Sequence, residues 1–336
     1  MKKDLIILTG GAGFIGSNLL YALNIRGYTN IIVVDSLGKT EKWKNLRGLD
    51  FTEYYEKNRF RELVKEDKIS SWNIKTIFHL GACSDTTEDD ADYLMNNNFG
   101  YTKLLAEAAV KNNIQFIYAS SAATYGDGSR GFSDNEEYLE TLRPLNIYGY
   151  SKHLFDVYAK KTGLLNKITG LKFFNVFGPN EYHKGNMRSF IIKAYEQIIK
   201  TGKVKLFKSY NPEYKDGEQL RDFIYVKDAV NMVLFFFDNN ILTGIFNIGS
   251  GKTTSWNTLV KQVFESVGKK PVIKYIDIPQ NIKSQYQYLT KADISKIRKL
   301  GYDKDITDFK VAVKDYVVNY LTDNRYIAEK KYRDLK

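Results

Sequence analysis

Two tyrosines and a lysine lie close together in the seven-residue stretch NIYGYSK, which runs from Asn146 to Lys152. Residues four apart stack on one face of a helix, so a helix that begins near Tyr148 places its phenol beside Lys152 and turns Tyr150 elsewhere. A free phenol has a pKa of about 10, and a neighbouring ammonium stabilises its ionised form. We therefore predict that Tyr148 exchanges protons near neutral pH and that Tyr150 does not.

Ser121 lies 27 residues before Tyr148 and ends the buried run Gln115–Ser121, which predicts a strand. Open α/β folds hold their ligands outside the carboxyl ends of such strands. There the hydroxyl could bridge a substrate alcohol to Tyr148, while Lys152 lowers the phenol's pKa and holds a nicotinamide ribose. Each residue alone is more often a core serine, a surface tyrosine or a solvated lysine. Together, on a dinucleotide-binding fold, they predict proton transfer during oxidation of an alcohol.

The elements that position these residues alternate between strand and helix. In the first half, apolar runs predict strands and helical spacing predicts helices, in the order Leu5–Thr9, helix Ser17–Asn24, Ile31–Asp35, Thr76–Gly81, helix Tyr101–Lys111, Gln115–Ser121, the helix opened by NIYGYSK, and Leu171–Val176. Such alternation predicts βαβ units and an α/β fold with a doubly wound parallel sheet. The second half is less regular, with predicted helices at Met187–Lys200, Val226–Phe237 and from Ser255, and a strand at Ile245–Ile248.

A glycine cluster indicates what the sheet holds. Gly10, Gly13 and Gly16, in the segment TGGAGFIG, directly follow the first strand and open the first helix. Such glycines let the backbone approach a pyrophosphate closely, and the helix N-terminus adds partial positive charge. Asp35 ends the second strand 19 residues after Gly16, where a carboxylate is expected to bind a ribose. The pattern predicts a Rossmann-type dinucleotide site rather than a bare tight turn.

The choice between NAD and NADP stays open on the residues alone. Asp35 favours the free ribose hydroxyls of NAD, because a carboxylate repels a 2′-phosphate. However, Ser36, Lys39, Lys42 and Lys44 follow directly, and lysines there could neutralise that phosphate.

We expect two domains. Residues 1–178, with 222–248 returning to them, are predicted to form the dinucleotide-binding domain. Residues 179–221 and 249–336 are predicted to form a smaller, mostly C-terminal α/β substrate domain. The charged residues from Tyr326 onward predict a helix extension or a frayed tail.

Composition argues against several other functions. The chain has 336 residues, with 50 Lys and Arg against 39 Asp and Glu and a net charge of +11. The charges are scattered, and no zinc or RNA-binding spacing appears, so we expect no metal and no nucleic acid. A phosphorylated or nucleotide-linked substrate remains compatible with the charge. Cys83 is the only cysteine, and the apolar runs are too short for a signal peptide or membrane span, so we expect a cytoplasmic protein that binds no membrane.

Several motifs resemble those of the extended short-chain dehydrogenase/reductases and, within them, the ADP-L-glycero-D-manno-heptose 6-epimerases. The matching segments, which cover roughly residues 4–325 of the chain, are TGGAGFIGSN, FHLGACSDTTE, NNN, YASSAATYG, NIYGYSK, FFNVFGPNEYHKGNM, LRDFIYVKDA and GIFNIGSGK. GGAGFIG, SSA and YxxxK mark only the superfamily. GACSDTT and FGPNEYHKGNM are the specific part.

The resemblance implies an NADP-dependent inversion at C6″ of a nucleotide-linked heptose, with NAD as the second choice. It also implies a nucleotide-sugar partner, a homo-oligomer and a second acid/base at Lys184. Cofactor contacts are implied for Gly10, Gly13, Phe14, Ile15, Gly16, Asp35, Ser36, Lys42, Lys57, Leu80, Gly81, Ala82, Cys83, Ser84, Asn97, Lys152, Val176 and Lys184. Substrate contacts are implied for Asn175, Asn186, Lys193, Phe207, Arg221 and Tyr286.

The chain departs from this family pattern at four places. Leu80 stands where an acidic residue is common, Asn186 where serine is common and Lys193 where histidine is common, and an insertion lies near Asn211–Gln219. Two alternatives stay open. One is another nucleotide-sugar epimerase or reductase of the same superfamily, and the other is a non-catalytic redox sensor, which would not need Ser121, Tyr148 and Lys152 together. Dehydratases carry an acidic pair where this chain has Ala122 and Ala123, so elimination of water is not expected.

Overall fold

The computed structural model describes residues 4–280 and 286–332, so the ends of the predicted domain ranges and residues 281–285 lie outside it. Its largest element is a parallel sheet of seven strands. In spatial order these are Gly244–Ile248 (β11), Thr169–Phe173 (β6), Gln115–Ser121 (β5), Ile74–His79 (β4), Leu5–Thr9 (β1), Ile31–Asp35 (β2) and Glu53–Glu56 (β3). The predicted α/β fold with a doubly wound parallel sheet is confirmed.

Three small strand pairs lie outside this sheet. They are Asn175–Phe177 (β7) with Phe223–Tyr225 (β10), Val204–Phe207 (β8) with Ile273–Ile276 (β13), and Leu220–Arg221 (β9) with Thr254–Ser255 (β12). The main helices are Phe14–Ile25 (α1), Lys57–Lys65 (α2), Ala91–Leu94 (α3), Tyr101–Lys111 (α4), Ile147–Lys161 (α5), Phe190–Thr201 (α6), Val226–Asp238 (α7) and Trp256–Ser266 (α8), followed by shorter ones at Ser295–Lys299 and Phe309–Tyr316. None of the described helices is long and apolar enough to cross a membrane.

The predicted strand Leu171–Val176 is wrong as a single element. The N–H of Phe174 still donates to the carbonyl of Ile248 in β11, but the next N–H, of Asn175, donates to the carbonyl of Asp222. The chain therefore changes partners between β6 and β7 and leaves the main sheet. The predicted strand Thr76–Gly81 lies two residues earlier, as β4, and β3 was missed.

The predicted helix Met187–Lys200 begins late. Residues Tyr182–Met187 form a 3₁₀ turn, and α6 starts only at Phe190. The carboxylate of Glu181 holds this boundary, because it accepts hydrogen bonds from the Ser189 hydroxyl, at 2.7 Å, and from the Ser189 N–H. By contrast, the helix predicted from Ser255 is confirmed as α8, and the Ser255 hydroxyl caps it by accepting a hydrogen bond from the N–H of Thr258 at 3.2 Å.

Different helices cover the two faces of the sheet. Alternate side chains of a strand point to opposite faces, so Ile6 and Leu8 pack with α1 and α7, whereas Ile7 packs with α2, α4 and α5. Burying each such aliphatic side chain stabilises the fold by about 1.5–3 kcal/mol. The first core continues into α6, α8 and the helix Phe309–Tyr316. The division into two domains stays a prediction.

Candidate active site

The turn between β1 and α1 has no room for side chains. Gly10 has a φ of +71°, and a Cβ there would lie 2.6 Å from the nitrogen of Gly81 at the end of β4. A Cβ on Gly16 would lie 2.0 Å from the carbonyl oxygen of Gly10. Gly13 caps α1, and among the described residues no side chain hydrogen-bonds to this cap. The free N–H groups and the close backbone make a cradle that fits the diphosphate of a dinucleotide.

Asp35 lies at the end of β2 beside this turn and is 5% exposed. Its carboxylate accepts hydrogen bonds from the N–H of Ala12 at 2.9 Å and of Ser36 at 2.7 Å. Lys42 donates to the same carboxylate at 2.5 Å. The predicted acid is therefore joined to the glycine turn and neutralised by one of the predicted lysines. The other two are elsewhere, since Lys39 is exposed and Lys44 pairs with Glu41.

A pair of asparagines orders the loop after β4, which contains the predicted cofactor contacts Leu80, Gly81, Ala82, Cys83 and Ser84. Asn97 accepts a hydrogen bond from Lys57 at 2.8 Å, so these two predicted residues meet. Its neighbour Asn98, which the sequence interpretation missed, accepts from the Cys83 N–H at 2.9 Å and donates to the Cys83 carbonyl at 3.0 Å. Asn98 also donates to the Ser151 hydroxyl on α5 at 3.0 Å. The loop is thereby tied to the helix of the predicted base.

The helix α5 begins at Ile147, close to the predicted start near Tyr148, and Asn146 is its cap. The side chain of Asn146 accepts a hydrogen bond from the N–H of Gly149 at 2.8 Å. A Cβ on Gly149 would lie 2.8 Å from the carbonyl oxygen of Ala123, so this glycine lets the helix approach the turn after β5. Tyr148 is half-buried, whereas Tyr150 is 46% exposed. The two tyrosines therefore face different surroundings, as the helical spacing predicts.

Tyr148 and Ser121 form the chemical centre of this region. Burial raises the pKa of Tyr148 above its usual value, and a hydrogen bond with the Ser121 side chain partly opposes this change. The expectation that Lys152 lowers this pKa is wrong for the structure described here. The ammonium of Lys152 instead donates to the carbonyl of Ala119 at 2.8 Å, and burial lowers its own pKa to about 8.

Lys184 lies at the other side of the cradle, in the 3₁₀ turn Tyr182–Met187. Its ammonium lies 5.4 Å from the ring centre of Phe14, the first residue of α1. Burial lowers the pKa of Lys184, and the nearby carboxylate of Glu181 acts in the opposite direction. Two predicted substrate residues lie beside this turn, because Lys193 donates to the carbonyl of Asn186 at 2.6 Å.

The remaining predicted substrate residues form a second group. The ring of Tyr286 lies 6.2 Å from that of Phe207, and the guanidinium of Arg221 lies 5.4 Å from the Tyr286 ring. Arg221 also lies over Trp256 at 5.6 Å, a neighbour that the sequence interpretation missed. Asn175 donates to the carbonyl of Asp222, next to Arg221, at 3.0 Å. An aromatic surface with a buried cation suits a nucleotide.

Val176 and Ile15 complete the predicted set. Val176 is half-buried in β7, where it pairs with Ile224, and Ile15 is half-buried in the first turn of α1. Within residues 4–280 and 286–332, no three His, Cys, Asp or Glu side chains converge on a position for a metal ion.

Comparison with known proteins gives consistent matches. Residues 6–249 match the model of the NAD dependent epimerase/dehydratase family. The chain is 49% identical over 315 residues to the ADP-L-glycero-D-manno-heptose-6-epimerase of Nitratidesulfovibrio vulgaris, covering 94% of this chain and 97% of that protein. It is 47% identical over 327 residues to the protein of the same name from Fusobacterium nucleatum, covering 94% and 98%.

Solved structures are similar over comparable lengths. The ADP-L-glycero-D-manno-heptose-6-epimerase of Helicobacter pylori has a TM-score of 0.77 and 28% identity, covering 94% of this chain and 96% of that one. The UDP-glucuronic acid 4-epimerase of Bacillus cereus, in complex with UDP-glucuronic acid and NAD, has a TM-score of 0.74 and 25% identity, covering 94% and 99%.

Proposed function

This chain belongs to the NAD dependent epimerase/dehydratase family, and we propose that it converts ADP-D-glycero-D-manno-heptose into the L-glycero form by inverting C6″. The interaction of the Ser121 side chain with Tyr148 carries the proposal, because it brings a hydroxyl and a phenol together at the carboxyl edge of the sheet. Four curated relatives that are 42–49% identical over most of the chain carry the name of this activity. We propose a cytoplasmic homo-oligomer on the same family grounds.

The residues of the cradle fit a nicotinamide dinucleotide. A tight glycine turn, an uncapped helix N-terminus and a ribose-side carboxylate meet at one place, and side chains at Gly10 or Gly16 would fill it. When bound, a nicotinamide would supply reversible hydride transfer at the carbon that is inverted. Gly10 and Gly13 would hold the diphosphate, and Asp35 with Ser36 would lie at the ribose.

We further propose NADP rather than NAD. Lys42 offsets the negative charge of Asp35, and the Ala12 and Ser36 N–H groups already occupy its oxygens. This arrangement lessens the repulsion that a free carboxylate would exert on a 2′-phosphate. Denaturing the purified protein and identifying the released nucleotide tests the choice. Release of NADP is expected, and release of NAD alone would overturn it.

Tyr148 and Lys184 would manage the proton in the two orientations of the sugar. As the hydroxyl becomes a ketone, its proton would pass to the Tyr148 oxygen, which must be ionised to accept it and whose ionised form the Ser121 side chain favours. The ketone then turns while its nucleotide stays anchored near Arg221 and Tyr286. On the opposite face of the ketone, the Lys184 ammonium would donate the proton that completes the alcohol, and the proton held by Tyr148 would return to Lys184 through solvent before the next turnover. The lowered pKa of Lys184 makes it a better acid than a solvated lysine.

The activity is tested by incubating the protein with ADP-D-glycero-D-manno-heptose and following the epimer by NMR. We expect both epimers to reach equilibrium without added reductant. UDP-glucose and UDP-glucuronic acid serve as comparison substrates, since the structurally similar 4-epimerases act on UDP-sugars by their names. Faster turnover of either UDP-sugar would favour the alternative function.

A further inference from the structure

Asn180 is a fully buried polar residue in a loop that the sequence interpretation did not single out. It has a left-handed backbone, with a φ of +75°, and is 0% exposed. Its side chain donates to the hydroxyl of Ser17 on α1 at 2.9 Å and accepts from the N–H of Ile327 at 2.9 Å. The Asn180 side-chain amide thus joins α1 to the C-terminal residues around Ile327.

Asn45 connects the backbone of Asn180 to the glycine turn. Its amide donates to the carbonyl of Ala12 at 2.9 Å and to the carbonyl of Asn180 at 3.1 Å. Asn45 is 2% exposed and belongs to the 3₁₀ turn Glu41–Leu46, which also carries Lys42. The position of Lys42 at Asp35 is therefore linked through Asn45 to Asn180.

The C-terminal segment Arg325–Glu329 contacts residues in or next to both turns. The hydroxyl of Tyr182, two residues before Lys184, donates to the carbonyl of Arg325 at 3.0 Å. The ring of Tyr182 also lies 5.2 Å from that of Tyr326. Arg47, next to the turn of Lys42, forms an ion pair with Glu329 at 2.6 Å.

We propose that Asn180 is a positioning residue that fastens the turn of Lys42, the turn of Lys184 and the C-terminal segment Arg325–Glu329 into one brace around the dinucleotide cradle. The brace slows release of the dinucleotide, because the Asn180 side chain holds the C-terminal segment against α1, Tyr182 ties the 182–187 turn to that segment, and Asn45 ties the 41–46 turn to the Asn180 carbonyl. The part that concerns Lys184 rests on the proposed function. Retention of the dinucleotide does not, since it is measured without substrate.

The first test removes the amide and keeps the backbone. Asn180→Gly suits the left-handed conformation, so it deletes the side-chain hydrogen bonds to Ser17 and Ile327 without adding strain, and it keeps the carbonyl that accepts from Asn45. Asn113→Gly is the matched control, because Asn113 also has a left-handed backbone, with a φ of +54°, but lies exposed after α4. Each protein is loaded with NADPH, or with NADH where NADPH does not bind, and dissociation is followed by nucleotide fluorescence. We expect release about tenfold faster for Asn180→Gly and unchanged for Asn113→Gly.

Limited proteolysis of the nucleotide-free proteins gives a readout independent of any cofactor. The brace predicts faster cleavage within the C-terminal segment of Asn180→Gly at a temperature where circular dichroism shows a folded protein. A residue that only contributes to stability would lower Tm but leave both release and cleavage unchanged below it. That result would overturn the proposal.

The second test changes the donor of the hydrogen bond from the Ile327 N–H to Asn180. Ile327→Pro removes the N–H that donates to Asn180, and proline is tolerated because Ile327 opens the 3₁₀ helix Ile327–Tyr332. Ile327→Ala keeps the N–H while it removes most of the buried side chain. We expect faster release with proline than with alanine. Equal release from both variants would show that apolar packing holds the segment, and the proposal would fail.

Discussion

The Tyr148 side and the Lys184 side of the candidate site are built in different ways. Tyr148 and Lys152 lie in the first turns of a 15-residue helix that has its own cap and packs against the end of β5. Lys184 lies in a six-residue 3₁₀ turn that bends at Gly185, where φ is +53°. Regular hydrogen bonds fix the first region, whereas side chains from distant parts of the chain fix the second.

This difference determines how a substitution affects each region. A helix places its side chains through local geometry, so changing Tyr148 removes chemistry and leaves position intact. The turn of Lys184 is held by distant residues, since His183 hydrogen-bonds with Asn45, 138 residues away, and Tyr182 donates to the carbonyl of Arg325 in the C-terminal segment. We therefore expect changes near Lys184 to alter position and chemistry together.

The Tyr148 side also rests on a buried polar cluster about two turns further along α5. Asp156 accepts hydrogen bonds from the Tyr118 hydroxyl at 2.9 Å and the Ser120 hydroxyl at 2.7 Å. The Lys172 ammonium lies 3.6 Å from Asp156, and both side chains are 0% exposed. Lys172 also donates to the hydroxyl of Thr124 at 2.9 Å, just after Ser121. The cluster joins α5, β5 and β6 below the candidate base.

The largest expected effect comes from breaking this cluster. Lys172→Met leaves Asp156 as a buried, uncompensated carboxylate, which should lower the free energy of unfolding by about 3–5 kcal/mol. Denaturant titration measures the change. Lys111→Met is the control, because the exposed Lys111–Asp67 pair should contribute only about 0–1 kcal/mol. The double variant Asp156→Asn with Lys172→Met should regain much of the loss, and equal costs for Lys172→Met and Lys111→Met would contradict the assignment.

The next effect tests the chemistry of the Tyr148 side. Tyr148→Phe should lower turnover by roughly 10²-fold or more, because it removes the proton acceptor. Dinucleotide binding and Tm should stay nearly unchanged, since the helix and its cap remain. Tyr150→Phe, at an exposed position on the same helix, should have much less effect. Similar losses for both variants would show that the wrong phenol has been assigned.

The same comparison explains what the sequence could predict. Strands β1, β2 and β5, the glycine turn and the Tyr148–Ser121 pair follow from patterns that a single sequence displays. Asn45, Asn98 and Asn180 could not be found in this way, because each acts on residues brought near by the fold. The Asn98–Ser151 hydrogen bond, for example, spans 53 residues. The only sequence signal at Asn98 is the run NNN, and this run does not distinguish Asn98 from Asn97.

The break between β6 and β7 has a similar origin. Residues 171–176 read as one strand in the sequence, but the edge that pairs with them belongs first to β11 and then to β10. Local composition cannot show a change of partner. The same limit applies to Lys152, whose hydrogen bond to Ala119 depends on how closely α5 approaches β5.

A third prediction separates the two sides directly. Lys184→Met should slow epimerisation by about 10²-fold, in line with the loss of a general acid. It should leave measurable the dismutation of a substrate analogue with an aldehyde at C6″, because this hydride transfer needs no inversion. Tyr148→Phe should slow both reactions. Near-parental epimerisation by Lys184→Met would remove Lys184 from the chemistry and make it a phosphate or cofactor contact.

The smallest expected effect concerns pH and the charge of Lys152. Burial lowers the pKa of Lys152 to about 8, so raising the pH through this value removes its positive charge in the folded protein. A free lysine keeps its charge to about pH 10.4. If the ammonium supports proton transfer at Tyr148, kcat/KM should fall above pH 8 by at most about tenfold per pH unit. Lys152→Met should have a lower kcat/KM without this alkaline limb, whereas Lys161→Met, at the exposed end of α5, should keep it. A parental profile that stays flat to pH 10 would show that the charge of Lys152 is not required, and that the Tyr148 side depends on its Ser121 hydrogen bond alone.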